Sequence, residues 1–398
     1  MQNAEIVNVG QPRPRLGDAV QSIPPSGIRA FFELVVGRDD VISLGVGEPD
    51  FSTPWRAREA AIWRITRGET SYTSNSGLLS LRKAISKYLY TRFAVEADPE
   101  HEMLITVGVS EGLDLALRAL LNPGDEVIVW SPSYVAYAPL VAMAGGVPIL
   151  LESNAADGFK LNLAKLEQLI TPRTRALFIN FPCNPTGTTL QREDLVAMAR
   201  LCVNRGVVML SDEVYAEMTH DGKHVSLASL PEAAGWTILL SGFSKAFAMT
   251  GWRMGYACGP AEIIAAMTKI HQYTIMCASI MGQRAAEVVL TEGLDDMQEM
   301  CETFRQRRNL IVKGLNDIGL PCHRPDGAFY AFPSIKHTGI ASQDFCRQLL
   351  EEESVAIVPG DAFGPAGEGH VRLAYAASFD TINKALEKIG LFLRRHGF

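Results

Sequence analysis

A lysine, Lys245, stands among small residues in "SGFSKAFAMTGWRMGY" (241–256), with an arginine, Arg253, eight positions on. An amine in that setting suits condensation with a carbonyl, and burial among cations would lower its pKa enough for it to act as nucleophile and base. Three further punctuated stretches accompany it. "TVGVSEGLDL" (106–115) carries an apolar strand through small residues into a helix whose first N–H groups suit an anion such as phosphate. "NFPCNPTG" (180–187) ends a strand in a turn at Asn184. "LSDEVY" (210–215) closes an apolar run with Asp212 and Glu213, Tyr215 close behind, at the strand end where open α/β sheets meet ligands. Each also has an ordinary reading: a strand-to-helix turn with Ser110 as N-cap and Glu111 favouring the helix dipole, a plain turn, a solvated acidic loop.

The elements that must hold these residues follow from hydrophobic rhythm. Short β-branched runs, "EVIVW" at 126, "VPILL" at 147, "ALFINF" at 176, "VVMLS" at 207 and "TILLS" at 237, alternate with amphipathic stretches such as "SEGLDLALRALL", "LNLAKLEQLI" and "QREDLVAMARLCVNRG". The fold class is therefore α/β with a mainly parallel central sheet. From residue 292 the pattern becomes a long charged helix, "GAFYAFPSI", a helix near 342–353, "VAIVPG", "HVRLAYA" and a last helix, which predicts a smaller α+β domain. The expected division is an N-terminal arm at 1–25, a large domain at 53–291, and a small domain built from 26–52, with a helix from Ser26, and 292–398.

Ser110, Asn184, Asp212, Lys245 and Arg253 each follow a strand in this reading, so they meet along one sheet edge. Together they describe a pocket for pyridoxal phosphate. The lysine amine bonds the cofactor aldehyde, the carboxylate keeps the pyridine nitrogen protonated so that the ring draws electrons, and arginine with helix N–H groups binds phosphate. Gly242 and Ser244 are expected to leave the cofactor room. Other chemistries lack their patterns: there is no GxGxxG after the first strand, no GxxxxGK[ST] and no GxSxG. His220 and His224 have the spacing of helical zinc ligands, but "HDGKH" puts a turn between them, and no metal site is expected.

"GFSKAFAMTGWRMG" resembles the cofactor attachment signature of the class I/II aminotransferases, pyridoxal-phosphate enzymes of fold type I. "ISLGVGEPDFSTP", "TSYTSNSGLLSLRKAI", "NPGDEVIV", "NFPCNPTG", "SDEVY", "GAFYAFP", "VPGDAFG" and "GHVRLAYA" fall in that family's order, over all but the first two dozen or so residues. The nearest likeness is to the branch of aromatic and acetyl-diaminopimelate aminotransferases, through "KIHQYTIMCAS", "FPSIK" and "GDAFGPAGEGHVRLAYA". The resemblance implies Lys245 as attachment lysine and proton carrier and Asp212 as partner of the ring nitrogen. It implies Asn184 and Tyr215 on the ring oxygen, Tyr134 stacked on the ring face, and Val109, Ser110, Glu111, Ser244 and Arg253 around the phosphate. It brings Tyr72 in from a second subunit of a homodimer, and sets Arg372, with Asn184 and Gly47, on the substrate α-carboxylate. Taken singly, Arg372 reads as a surface salt bridge.

The implied reaction is ping-pong transamination between an L-amino acid and a 2-oxo acid, both small molecules. In animal-type aspartate aminotransferases an arginine of the partner subunit pairs with the distal carboxylate. The corresponding "IHQYTIMCASIMGQ" has no Lys or Arg between Lys269 and Arg284. Aromatic or other large apolar donors are therefore expected, with 2-oxoglutarate as acceptor held by hydrogen bonds or by a basic group the sequence does not identify. An acetyl-diaminopimelate or aspartate aminotransferase and a carbon–sulfur β-lyase share the same motifs. A pyridoxal-phosphate-sensing regulator would need a basic helix-turn-helix domain, and about forty residues precede "ISLGVGEPDF".

Composition agrees with a catalyst of small molecules. The 398 residues exceed one hydrophobic core, and 47% hydrophobic with 20% charged residues is the balance of a globular protein. A net charge of -7 gives no basic footprint, so neither nucleic acid nor an anionic membrane is an expected partner. Seven separated cysteines without a CxxC pair fit a reducing compartment, and a cytoplasmic location is expected.

Overall fold

The structure, a computed structural model, describes residues 16–25, 27, 37–38 and 40–398. The helix expected from Ser26 and most of the expected arm lie outside the described residues; within the arm, Asp18–Ser22 is helical.

A two-residue strand, β1 (Ile42–Ser43), opens the described strands. The apolar runs then build one seven-stranded sheet from β2 (Met103–Val107), β3 (Glu126–Ser131), β4 (Val147–Glu152), β5 (Thr174–Asn180), β6 (Val208–Asp212), β7 (Thr237–Gly242) and β8 (Met254–Cys258). Its order is β2-β8-β7-β6-β5-β3-β4. The central strands are buried on both faces and so read as continuous apolar runs rather than alternations. Helices Gly108–Leu120 and Ala261–Thr274 pack on one face through Leu113, Leu117, Ile264 and Met267; helix Arg192–Asn204 covers the other through Leu195, Met198 and Ala199.

β8 departs from the expected pattern. It runs antiparallel between β2 and β7, pairing Val107 with Met254 and Gly242 with Gly255. Two antiparallel steps leave β2 parallel to β7, so the carboxyl ends of β2, β5, β6 and β7 share one edge with the amino end of β8. Arg253 therefore precedes a strand instead of following one, and still arrives at the same edge. The close approach of these strands explains the glycines. A Cβ on Gly255 would lie 2.6 Å from the Gly108 carbonyl carbon, and one on Gly242 would lie 2.8 Å from the Met254 carbonyl oxygen. Gly242 thus makes room for β8, not for a ligand.

The C-terminal part carries its own sheets. β9 (Tyr330–Ala331), β11 (Val358–Pro359) and β12 (Val371–Ala374) form an antiparallel sheet in the order β11-β12-β9, and β10 (Val355–Ala356) pairs in parallel with β1. Helices Leu294–Asp317, Ser342–Glu353 and Phe379–Arg395 bury Phe304, Ile311, Phe345, Leu349, Ile389 and Phe392 in a second core. We propose the division into 53–291 against 26–52 plus 292–398, supported by these separate sheets and by the β1–β10 pairing. The chain from Leu44 to Asp50 runs as a strap between the parts. It is fixed at one end by the Ala374 N–H on the Leu44 carbonyl at 2.6 Å, and at the other by a two-pronged Arg307–Asp50 pair at 2.7 and 2.9 Å.

Candidate active site

Asn180 and Asp212 are the last residues of β5 and β6 and lie side by side in register. The Asn180 amide donates to the Asp212 carbonyl at 2.9 Å and its Oδ1 accepts the Asn184 N–H at 2.9 Å, which fixes the turn that follows β5. Asn184 Oδ1 in turn accepts from Arg372 Nη1 at 2.9 Å. One chain of polar contacts thus links the sheet edge to β12.

Asp212 is 4% exposed. Its Oδ2 accepts the Tyr137 hydroxyl at 2.8 Å and its Oδ1 the Val214 N–H at 3.2 Å, and no cation among the described residues is hydrogen-bonded to it. Burial pushes its pKa up to about 6 against the pull of those two donors. Lys245 follows β7, and its Nζ donates to the Gly47 carbonyl of the strap at 2.5 Å. Burial lowers its pKa to about 8, opposed by the charges of Glu48 and Asp212 and aided by those of Arg372 and Arg253. The strap is held over the lysine by the Thr250 hydroxyl, which donates to Glu48.

Arg372, on β12, is 2% exposed and, among the described residues, is paired with no carboxylate. Its Nη2 donates to the Gly45 carbonyl at 2.6 Å, its Cζ lies 4.5 and 4.8 Å from the ring centres of Tyr330 and Phe363, and its Nε is buried without a partner among the described residues. It is not the surface salt bridge that its position alone would suggest. A buried guanidinium without an anion is costly, and this one borders a cavity.

That cavity, about 600 Å³, is lined by Gly47, Val109, Ser110, Tyr134, Asn184, Asp212, Tyr215, Ser244, Lys245, Arg253 and Arg372. Of the residues expected at the site, Glu111 and Tyr72 do not line it. Tyr72 is 80% exposed, outside the cavity of its own chain. The Glu111 side chain turns away, to the Val107 N–H and His271. The helix starts at Gly108, so Ser110 lies in its first turn and makes no N-cap bond. Gly108 has φ +72°, and a Cβ there would lie 2.6 Å from Arg253 Nη2; the glycine lets the guanidinium lie against the helix start.

Sequence reasoning missed Tyr137, Tyr330, Asn180 and Glu48, which also line the cavity. Tyr330 meets Tyr215 hydroxyl to hydroxyl at 2.8 Å, and a Cβ on Gly47 would lie 2.5 Å from the Tyr330 oxygen. Tyr137 stands three residues after Tyr134, a helical spacing that was the available signal; "GAFYAFP" offered none for its tyrosine. His220 and His224 have separate partners, the Ala328 carbonyl at 2.7 Å and Glu213 at 2.8 Å, and among the described residues no cluster of His, Cys, Asp and Glu is arranged for a metal.

The arrangement fits pyridoxal phosphate. A buried carboxylate lacks a cation where a protonated ring nitrogen would supply one. A lysine with a lowered pKa faces the same space, and Arg253 with the helix start Gly108–Ser110 forms a cradle for an anion. Arg372 remains for a second anion. These are four chemically different poles around one cavity.

Comparison with known proteins identifies the family. A sequence profile described as "Aminotransferase class I and II" matches residues 39–389. YugH of Bacillus subtilis, provisionally named an aminotransferase, is 50% identical over 380 residues, covering 96% of this chain and 98% of its own. An aspartate aminotransferase of Pyrococcus abyssi is 42% identical, covering 95% of this chain and 98% of its own. The crystal structure of an aromatic aminotransferase from Pyrococcus horikoshii superposes with a TM-score of 0.88 at 42% identity, over 92% of this chain and 99% of that one. Profile, relatives and fold agree with one another, and the chain belongs to the class I and II aminotransferases, pyridoxal-phosphate-dependent enzymes of fold type I.

Proposed function

We propose that this aminotransferase moves the amino group of an aromatic or other large, largely apolar L-amino acid to a 2-oxo acid such as 2-oxoglutarate, in two successive half-reactions. The observation that carries the substrate reading is the set of charges in the cavity. Among the described residues its cations are Lys245, Arg253 and Arg372, and each has a use before a substrate side chain is reached. A second carboxylate, as in aspartate, would be buried without a cation of its own. Tyr134, Tyr137, Tyr215 and Tyr330 line the same space and favour aromatic or apolar groups.

When bound, pyridoxal phosphate supplies an aldehyde carbon to bond the amino group and a ring that draws electrons from the substrate Cα. Asp212 as carboxylate would keep the ring nitrogen protonated. Asn184 and Tyr215 offer hydrogen bonds to the ring oxygen, and Tyr134 offers its face. The first-turn N–H groups of Val109, Ser110 and Glu111, with Ser244 and Arg253, would hold the phosphate. Arg372 would grip the α-carboxylate in a two-pronged pair beside Gly47 and turn the Cα–H bond toward Lys245, whose free amine takes the proton. Tyr72 would serve the pocket of a second copy. Its exposure, with that of Tyr273 (84%), Ile275 and Met276, supports a homodimer. No described helix is long and apolar enough to cross a membrane. All seven cysteines are free, which supports the cytoplasmic reading.

The substrate reading is tested by kcat/KM for phenylalanine, tyrosine, aspartate and acetyl-diaminopimelate with 2-oxoglutarate as common acceptor. The aromatic donors are expected to lead. Aspartate ahead of both by about tenfold, or about 1.4 kcal/mol of transition-state preference, would overturn it in favour of the activity for which the Pyrococcus abyssi relative is named.

A further inference from the structure

Glu111 points away from the cavity yet is tied to the turn that lines it. Its Oε2 accepts the Val107 N–H at 2.5 Å, and its Oε1 lies 2.6 Å from His271 Nδ1. His271 is fully buried on helix Ala261–Thr274, and its Nε2 is buried without a partner. A carboxylate only accepts, so Nδ1 carries a proton and donates to Glu111.

Packing alone does not call for this pair. The helices that carry it already meet through Leu113, Leu117, Ile264 and Met267, and a buried polar pair costs desolvation that an apolar pair would not. What the pair adds is geometry. Val107 is the residue from which the chain leaves β2, with ψ +73°, and Gly108 then turns it at φ +72° so that Val109 and Ser110 border the cavity. Glu111 fixes the start of that turn from behind, and His271 fixes Glu111. Each carboxylate oxygen thereby accepts from one donor, and neither Val107 nor His271 lines the cavity.

We propose that Glu111 and His271 are positioning residues that hold the Val107–Ser110 turn in the shape that receives the cofactor's phosphate, so that they support the phosphate and not the ring. The proposal rests on the reading of this turn as the phosphate site. Full-length protein resolved of its cofactor is titrated with pyridoxal phosphate and with pyridoxal, which lacks the phosphate, following the absorbance of the bound chromophore. Glu111→Ala and His271→Phe are expected to weaken pyridoxal phosphate about tenfold, the size of one lost charge-assisted hydrogen bond, and to leave pyridoxal unchanged within about twofold. His271→Gln, which keeps a donor, is expected to recover most of the difference. Equal weakening of both ligands would reduce the pair to general support of the fold and overturn the proposal, as would unchanged affinity for pyridoxal phosphate. Arg253→Ala separates the two layers of the argument. If it keeps the wild-type preference for the phosphorylated ligand, the phosphate site itself is misplaced; if it loses that preference while Glu111→Ala keeps it, only the positioning role fails.

Discussion

Replacing Arg372 with leucine removes the cavity cation that we propose grips the substrate α-carboxylate. The guanidinium is held from behind by Asn184 Oδ1 at 2.9 Å and the Gly45 carbonyl at 2.6 Å, and leucine keeps apolar volume between Tyr330 and Phe363. A two-pronged pair to an α-carboxylate is two charge-assisted hydrogen bonds of about 1.5–3 kcal/mol each. Losing both costs about 3–6 kcal/mol, or about 10²- to 10⁴-fold in kcat/KM. Arg372→Lys keeps the charge but not the fork and is expected to lose about half that energy. The assay is single-turnover reaction of the loaded enzyme with phenylalanine and with phenethylamine, the same side chain without the carboxylate. The loss is expected for phenylalanine alone, so the preference for the amino acid over the amine collapses. An equal loss for both, or a loss under about tenfold for phenylalanine, would refute the assignment, because the arginine would then be supporting the cavity and not binding the carboxylate.

The lowered pKa of Lys245, about 8, sets a pH dependence for capture of pyridoxal phosphate by cofactor-free protein. The amine is protonated below that value and free above it, so the capture rate is expected to rise through the range below pH 8 and level off above it; a rate still climbing toward lysine's ordinary value of about 10.4 would show an unperturbed amine. Asp212→Asn removes the charge that we propose keeps the ring nitrogen protonated and is expected to lower kcat by about 10²-fold or more, whereas a change confined to cofactor affinity would make Asp212 only a positioning group. Tyr137→Phe withdraws a donor that favours the charged form of Asp212, whose pKa then rises further; the acid limb of the kcat–pH profile is expected to move to higher pH with the alkaline plateau retained, and an unmoved acid limb would count against the electrostatic role.

The parallel core was legible because strands buried on both faces leave continuous apolar runs, and three of the five runs led into a residue with chemistry: Asn180 near Asn184, Asp212 itself, Gly242 before Lys245. β8 was not legible. "MGYAC" begins directly after Arg253, so the arginine reads as part of the lysine's loop, and nothing local says that the next strand runs backward. Gly242 was misread for the same reason, since the backbone that crowds it belongs to β8. Tyr137 and Tyr330 were missed because their partners, Asp212 and Tyr215, lie 75 and 115 residues away along the chain. Hydrophobic period says which face a residue takes, not which distant hydroxyl it meets. Glu111 went the other way: its place near the helix start was correct, but only the structure shows His271, 160 residues on, drawing the carboxylate away from the cavity.

The account depends most on the amine of Lys245 as the point where the cofactor is held. Borohydride reduction of the purified, cofactor-loaded protein, followed by proteolysis and mass spectrometry, reads that point directly, because reduction turns the link between amine and cofactor into a stable secondary amine. The phosphopyridoxyl mass is expected on the peptide containing Lys245 and on no other. A label on a different lysine, with Lys245 unmodified, would contradict the assignment of this cavity as the catalytic site.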